Sequence, residues 1–480
     1  MLKKNDVSET QGPAKARRIG PRGLALIIAS AMFMEQLDTT ILATALPTMA
    51  RSFHVDPVSL NIAMTSYLLT LAVFIPASGQ VADRFGSRFI FRLAIAIFTI
   101  GSALCGLSVN LPMLVASRML QGLGGAMMMP VGRLLLFRSI PKSELIGANS
   151  WILVPGMLGP VLGPPIGGVI VTYAQWNWIF WVNIPIGVVG LLLVTFLVHD
   201  TREPDPKPFD FRGLVLSGTA LSLLLFGLEI AIEHVWSEIA AGVAITTGLL
   251  SASLYVLHAR RHPHPVLDLR LLRRTTFRLS IVGGTLFRLG FSSLPFLLPL
   301  LFQLGFGLSA ARSGAITFMS AASSMLMKSM TVKTLRRWGY RRVLIWNGLF
   351  CAGFLAACGA FRPSWPIVTI YALLFVGGLF RSLQYNAFGS ICYAEISQDE
   401  MSSATSFNIT MQQLSATLGI AISAAVLSSA TLFFHHSGPM LSDFTIAFLA
   451  MALLSLLPLP LSLSLHDDAG SELTGRPQKS

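Results

Sequence analysis

Residues 23–46 read Gly-Leu-Ala-Leu-Ile-Ile-Ala-Ser-Ala-Met-Phe-Met-Glu-Gln-Leu-Asp-Thr-Thr-Ile-Leu-Ala-Thr-Ala-Leu. As a helix this run is long enough to cross a hydrocarbon layer of about 30 Å, which takes about 20 residues. Two carboxylates, Glu35 and Asp38, stand in its middle. An ionisable group there costs roughly 2.5–3.5 kcal/mol even on insertion scales, so it needs a purpose or a partner. The default expectation is a proton or cation site. Three residues turn a helix by about 300°, which leaves the two acids about 60° apart, and at least one should hold a proton near neutral pH.

The rest of the chain needs lipid as solvent. Of its residues 53% are hydrophobic and only 12% charged, and the mean hydropathy is +0.67. A soluble core of this apolarity would have too little polar surface to cover it. Apolar stretches recur near 23–46, 58–78, 90–109, 112–135, 146–170, 178–198, 213–232, 239–258, 277–302, 310–330, 343–361, 365–388, 403–432 and 441–464, which makes fourteen expected spans. Glu229, Glu233 and Glu238 crowd the turn inside 213–258, where a re-entrant hairpin is the alternative to two crossings.

Basic residues set the orientation. Lys3, Lys4, Lys15, Arg17, Arg18 and Arg22 precede the first span, and Arg84, Arg88 and Arg92 follow the second. Arg202, Lys207, Arg212, the cluster from Arg260 to Arg278 and the cluster from Lys333 to Arg342 fall on that same side, while the opposite loops hold Arg51, Arg312 and Arg362. This bias places both termini in the cytoplasm. The net charge of +13 is therefore a topology signal, spread over short loops, and no nucleic-acid partner is expected. The polar, basic residues 1–22 run into a full-length span with two acids, unlike a cleaved signal peptide, and are expected to stay. Cys105, Cys351, Cys358 and Cys392 read as buried thiols, and His262, His264, His435 and His436 as loop histidines, so no metal site or disulfide is expected.

An internal repeat organises the spans. Gly79-Gln80-Val81-Ala82-Asp83-Arg84-Phe85-Gly86-Ser87-Arg88 follows span two, and Arg337-Trp338-Gly339-Tyr340-Arg341 follows span ten, sharing Arg-aromatic-Gly-x-Arg. Two six-span halves around an inserted pair explain this economically. Gly86 permits a tight turn, Arg84 and Arg88 face headgroups, and Asp83 can pair with a base or cap a helix. The expected organisation is a tail at 1–22, a first six-helix bundle at 23–198, linkers with two inserted helices at 199–276, a second bundle at 277–464 and a tail at 465–480.

The loop after span two closely resembles the G-x-x-x-D-R-x-G-x-R loop of the major facilitator superfamily. Leu37-Asp38-Thr39-Thr40-Ile41 through Ala45-Leu46-Pro47 resembles the first-span motif of its fourteen-span drug:proton antiporter family. Gly159, Gly163, Pro164, Gly167 and Gly168 match the superfamily's antiporter pattern, and Trp178-Ile179-Phe180 with Asn183, Pro185 and Gly187 resembles that family's entry into span six. The resemblance implies an all-α integral membrane protein with the major facilitator fold. It further implies Asp38 as the coupling acid, Arg118 of an R-x-x-Q-G pattern in proton transfer, and the loop and span-five motifs in conformational gating.

Physical readings stand beside these. Gly159, Gly163 and Gly167 share one helix face and admit close helix packing, which alone explains their spacing as well as gating does. Arg118, with Gln121 one turn on, needs an acid or carbonyls around it and can stabilise the ionised state of a neighbouring carboxylate; a structural hydrogen-bonding hub is the alternative. Glu35 is a second acid, or a polar packing group. In the second half Arg288 and Arg381 are intramembrane bases that either neutralise acids across the bundles or accept an anionic or zwitterionic substrate. The Arg381-Ser382-Leu383-Gln384 stretch resembles the multidrug-exporter branch of enteric bacteria. Candidate pocket groups are Gln121, Met128, Arg288, Gln303, Arg381, Gln384, Asn408 and Gln412.

No nucleotide-binding loop, H-E-x-x-H or G-x-S-x-G occurs, which argues against an ATP-driven pump or membrane enzyme. The expectation is a monomeric exporter of amphipathic small molecules in the bacterial inner membrane. A proton gradient replaces any cofactor, and a periplasmic adaptor with an outer-membrane channel is a conceivable partner set. Proton-coupled uptake or export of a specific metabolite is the rival. The scheme needs Asp38 to meet water on each side in turn.

Overall fold

In a computed structural model describing residues 20–139, 145–198, 209–233, 238–263, 265–397, 400–436, 438–466 and 469–470, the apolar stretches are helices. The N-terminal bases up to Arg18, Arg202, Lys207, His264, most of the C-terminal tail and the side chains of Glu229, Glu233 and Glu238 lie outside the described residues. The first half comprises α1 (Pro21–Phe53), α2 (Asn61–Phe85), α3 (Ser87–Gly106), α4 (Leu111–Ser139), α5 (Leu145–Tyr173), α6 (Trp178–Trp181) and α7 (Asn183–Leu197). A hairpin of α8 (Phe211–Glu233) and α9 (Glu238–Arg261) follows. The second half holds α10 (Thr275–Phe291), α11 (Leu294–Leu300), α12 (Ala310–Trp338), α13 (Tyr340–Gly359), α14 (Ile367–Ile391), α15 (Met401–Phe433), α16 (Leu441–Leu456) and α17 (Leu459–Leu463). Prolines break two expected spans: Pro295 starts α11 after a break in 277–302, and Pro458 separates α16 from α17.

Ten helical runs among the described residues are long and apolar enough to cross a membrane. α4 and α12 are not among them, because α4 carries Arg118, Gln121 and Arg133 and α12 is rich in serine and threonine. Both turn polar groups inward: Arg118 and Gln121 are buried on α4, and Ser313, Ser320 and Ser323 on α12.

The repeated loop motif has one structural cause in both halves. Gly86 joins α2 to α3 at φ 95°, and Gly339 joins α12 to α13 at φ 77°, a backbone region open to glycine and strained for side chains. Within the halves α1 packs on α5, α3 and α2 on α4, α12 on α14 and α13 on α16. Across them α5 meets α12 and α2 meets α15. The inserted hairpin leans on that second seam, with Leu225 of α8 in a cluster with Leu69 of α2 and Ala421 of α15.

The two bundles meet at one end through close backbone contacts. Away from the basic loops, Ala311 N–H donates to Thr172 Oγ1 (2.9 Å) and Gln303 Nε2 to the Thr44 carbonyl (3.0 Å). A Cβ on Gly168 would sit 2.4 Å from the Ala310 carbonyl oxygen, and one on Gly314 would sit 2.2 Å from that of Pro164. Gly168→Val should therefore wedge α5 from α12. We expect a cysteine introduced at Thr172 to react several-fold faster with an impermeant maleimide in that background; an unchanged rate would show that the seam yields elsewhere.

Candidate functional site

Asp38 is fully buried in the first bundle, where three donors converge on its carboxylate. Arg118 Nη1 donates to Oδ2 at 2.5 Å, while Gln121 Nε2 (2.8 Å) and Asn183 Nδ2 (3.0 Å) donate to Oδ1. Arg118 is itself held in place. Its Nε donates to the Ala63 carbonyl (3.1 Å), Nη1 also reaches Gln121 Oε1 (2.8 Å), and the guanidinium lies 4.2 Å from the centroid of the Tyr67 ring. Asn183 also donates to Ser102 Oγ (3.1 Å). Four helices and a fixed cation thus build one ion pair, and removing either partner would leave a buried charge alone. In this conformation Asp38 meets neither water nor the cavity between the bundles.

The reason is helical geometry. Gln36 and Thr40 lie two residues either side of Asp38, about 200° around the helix, so they occupy the opposite face of α1. That opposite face does two things. Gln36, Thr40 and Thr44 pack on Gly159, Gly163 and Gly167 of α5, where a Cβ on Gly163 would stand 2.0 Å from Thr40 Oγ1. They also line a cavity of about 370 Å³ between the bundles, whose other walls come from α5, α11, α12 and α14 and include Pro164, Leu298, Lys328 and Arg381. The antiporter-type glycines thus serve helix packing against α1, while Gly168 alone of the set meets the other bundle.

The structure places the remaining expected residues unevenly. Arg381 lines the cavity and donates to Ser324 Oγ (3.1 Å). Gln303 bridges the bundles through the Thr44 carbonyl. Glu35 is buried, does not line the cavity, and its Oε2 has no hydrogen-bond partner. Of the other expected substrate contacts, none lines the cavity: Gln121 serves the Asp38 network, Met128 is core in the first bundle, Gln384 donates to the Leu344 carbonyl (3.0 Å) and accepts from Asn347 (2.7 Å), and Arg288 is buried with its guanidinium 5.4 Å from the Tyr385 ring centroid. Asn408 is buried against Tyr393 (3.3 Å), and Gln412 is half-buried off the cavity wall. Gln121, Gln384 and Asn408 face their own bundles, where their hydrogen-bond partners lie.

At the basic end, Asp83 pairs with Arg138 (2.8 Å) and Arg88 donates to the Thr195 carbonyl, fastening the ends of α2, α4, α3 and α7 together. Arg84 lies against the Phe85 ring. The hairpin is tied to the same loop. Asp210 N–H donates to Gln80 Oε1 (3.3 Å), and its carboxylate caps α8 at Gly213 N–H (2.9 Å) and meets His258 Nε2 (2.7 Å). His262 completes a group of three ligand-type residues there, a grouping across the hairpin that the spacing of a loop histidine does not reveal.

Sequence comparison agrees with this architecture. The profile described as Major Facilitator Superfamily matches residues 28–420. The chain belongs to the major facilitator superfamily. A relative in Citrobacter koseri, "Putative multidrug resistance protein MdtD", is 36% identical over 404 residues, covering 84% of this chain and 85% of its own. A protein of the same name in Pectobacterium carotovorum is 37% identical over 401 residues, covering 84% and 86%. Among solved structures, the POT family transporter PepTSo superposes with a TM-score of 0.67 at 14% identity, covering 93% of this chain and 99% of that one. A bacterial homologue of the lysosomal transporter Spinster, inward-facing and unoccupied, gives 0.65 at 13% identity over 98% and 100%. This superfamily member is a multi-pass membrane transporter and not an enzyme.

Proposed function

We propose that this transporter is a proton-driven exporter of amphipathic small molecules, acting by alternating access in the bacterial inner membrane as a monomeric unit of fourteen spans with both termini cytoplasmic. The observation that carries the reading is the division of α1. One face holds an acid paired with a buried arginine, and the other forms a wall of the central cavity. With the basic loops in the cytoplasm, on this reading the joined end of the bundles is periplasmic and the cavity loads from inside. A proton on Asp38 cancels the charge that holds Arg118, frees one of the converging donors and loosens α1 from α2, α4 and α7. Its release on the inner side restores the pair. Exchange then couples two sites through differential stability of two states.

Reconstituted vesicles containing a pH-sensitive dye test this. Substrate added on the loading side should trigger proton movement in the opposite direction, and a proton gradient should drive uphill substrate movement. Co-directional movement of proton and substrate would instead establish the uptake rival.

A further inference from the structure

Helices α10 to α15 and the turns joining α10 through α14 contain no aspartate or glutamate; the acids between α10 and α15 lie in the loop after α14. Yet these helices carry Arg288, Lys328 and Arg381 within their lengths. None of the three has an ion-pair partner among the described residues. Arg381 donates to the Ser324 hydroxyl, Arg288 rests on Tyr385, and Lys328 is exposed at the cavity. A charge held inside a membrane protein ordinarily has a counter-charge or marks a substrate path. Across the cavity, the α1 wall offers Gln36, Thr40 and Thr44, all neutral, and among the described residues no carboxylate lines any wall. The acids of α1 cannot substitute, since Asp38 is occupied by Arg118 on the far face and Glu35 does not line the cavity.

We infer that the counter-charge is the substrate's: the cavity takes an amphipathic organic anion, a carboxylate or sulfonate, whose head lies between Arg381 and Lys328 and whose apolar body lies on Leu294, Leu298 and Pro164. Ser324, hydrogen-bonded to Arg381, fixes the fork of the guanidinium, which suits bidentate recognition of such a head. A volume of about 370 Å³ suits a small amphiphile. The inference rests on the transporter reading for the use of the cavity and adds the sign of its cargo. A cationic drug would meet two like charges and no acid.

Equilibrium binding to the purified full-length protein in detergent, with empty micelles subtracted, decides it. The probes are naphthalene-2-acetate, naphthalene-2-ethanol and 2-(2-naphthyl)ethylammonium, which share a ring and differ in charge. Wild-type protein should bind the carboxylate at least about tenfold more tightly than the ammonium compound. Arg381→Gln and Lys328→Gln should each weaken the carboxylate several-fold and leave the alcohol nearly unchanged, with Arg381→Lys less affected than Arg381→Gln. Equal or tighter binding of the ammonium compound, or full carboxylate binding after both charges are removed, overturns the inference. If Arg381→Gln fails to fold by thermal unfolding, Lys328→Gln, at an exposed position, decides alone. Because no gradient is present, carboxylate binding without proton exchange would defeat antiport and leave this inference standing; proton-coupled flux of the ammonium compound alone would do the reverse.

Discussion

Asp38→Asn is expected to abolish proton-driven transport while the protein still inserts and folds. Asparagine keeps an oxygen for Gln121 and Asn183 but has no charge for Arg118, whose guanidinium is 1% exposed and cannot reach water. Removing one partner of a buried pair costs about 3–5 kcal/mol, and the surviving hydrogen bonds and the Tyr67 ring offset part of it. The variant should therefore unfold at a lower temperature, yet its failure in vesicles should exceed what lost stability explains, since substrate should evoke no proton movement even where the protein is intact. Undiminished uphill export of every tested substrate would remove Asp38 from the mechanism.

Arg118→Ala should be at least as damaging, for a different reason. It strands the Asp38 carboxylate in the bundle with two neutral donors, deletes the hydrogen bond to Ala63 and empties the space over Tyr67. We expect a loss of stability of about 3–5 kcal/mol and no coupled transport. The double variant Asp38→Asn/Arg118→Ala tests the assignment, because it removes both charges together. It should recover much of the thermal stability lost by Arg118→Ala and none of the coupling, a non-additivity that a double-mutant cycle reads directly. Retained proton coupling in Arg118→Ala would reduce Arg118 to scaffold.

Local spacing alone makes several features legible. The acids of residues 23–46, Arg118 with Gln121 one turn later, and the twin Arg-aromatic-Gly-x-Arg turns are all short-range patterns, and the fold brings the first two together and gives both turns a glycine at positive φ. What spacing does not encode is which side of a helix meets which neighbour. Asn183 reaches Asp38 from 145 positions away, and its place in the span-six motif is the one signal of it in the chain. Met128 and Gln384 are as polar or adaptable as true cavity residues, but their faces turn into their own bundles. Lys328 escapes a reading built on motifs, although a lysine inside an expected span signals function as strongly as an aspartate does. The breaks at Pro295 and Pro458 are not expected from the sequence, because Pro76 and Pro130 stand inside expected spans whose helices continue through them.

Because α1 holds Asp38 and its cavity face back to back, under the proposed function neither occupant can touch the other, and a message between them would be carried by the rod that separates them. Such a helix works as a camshaft whose stiffness is part of the machine.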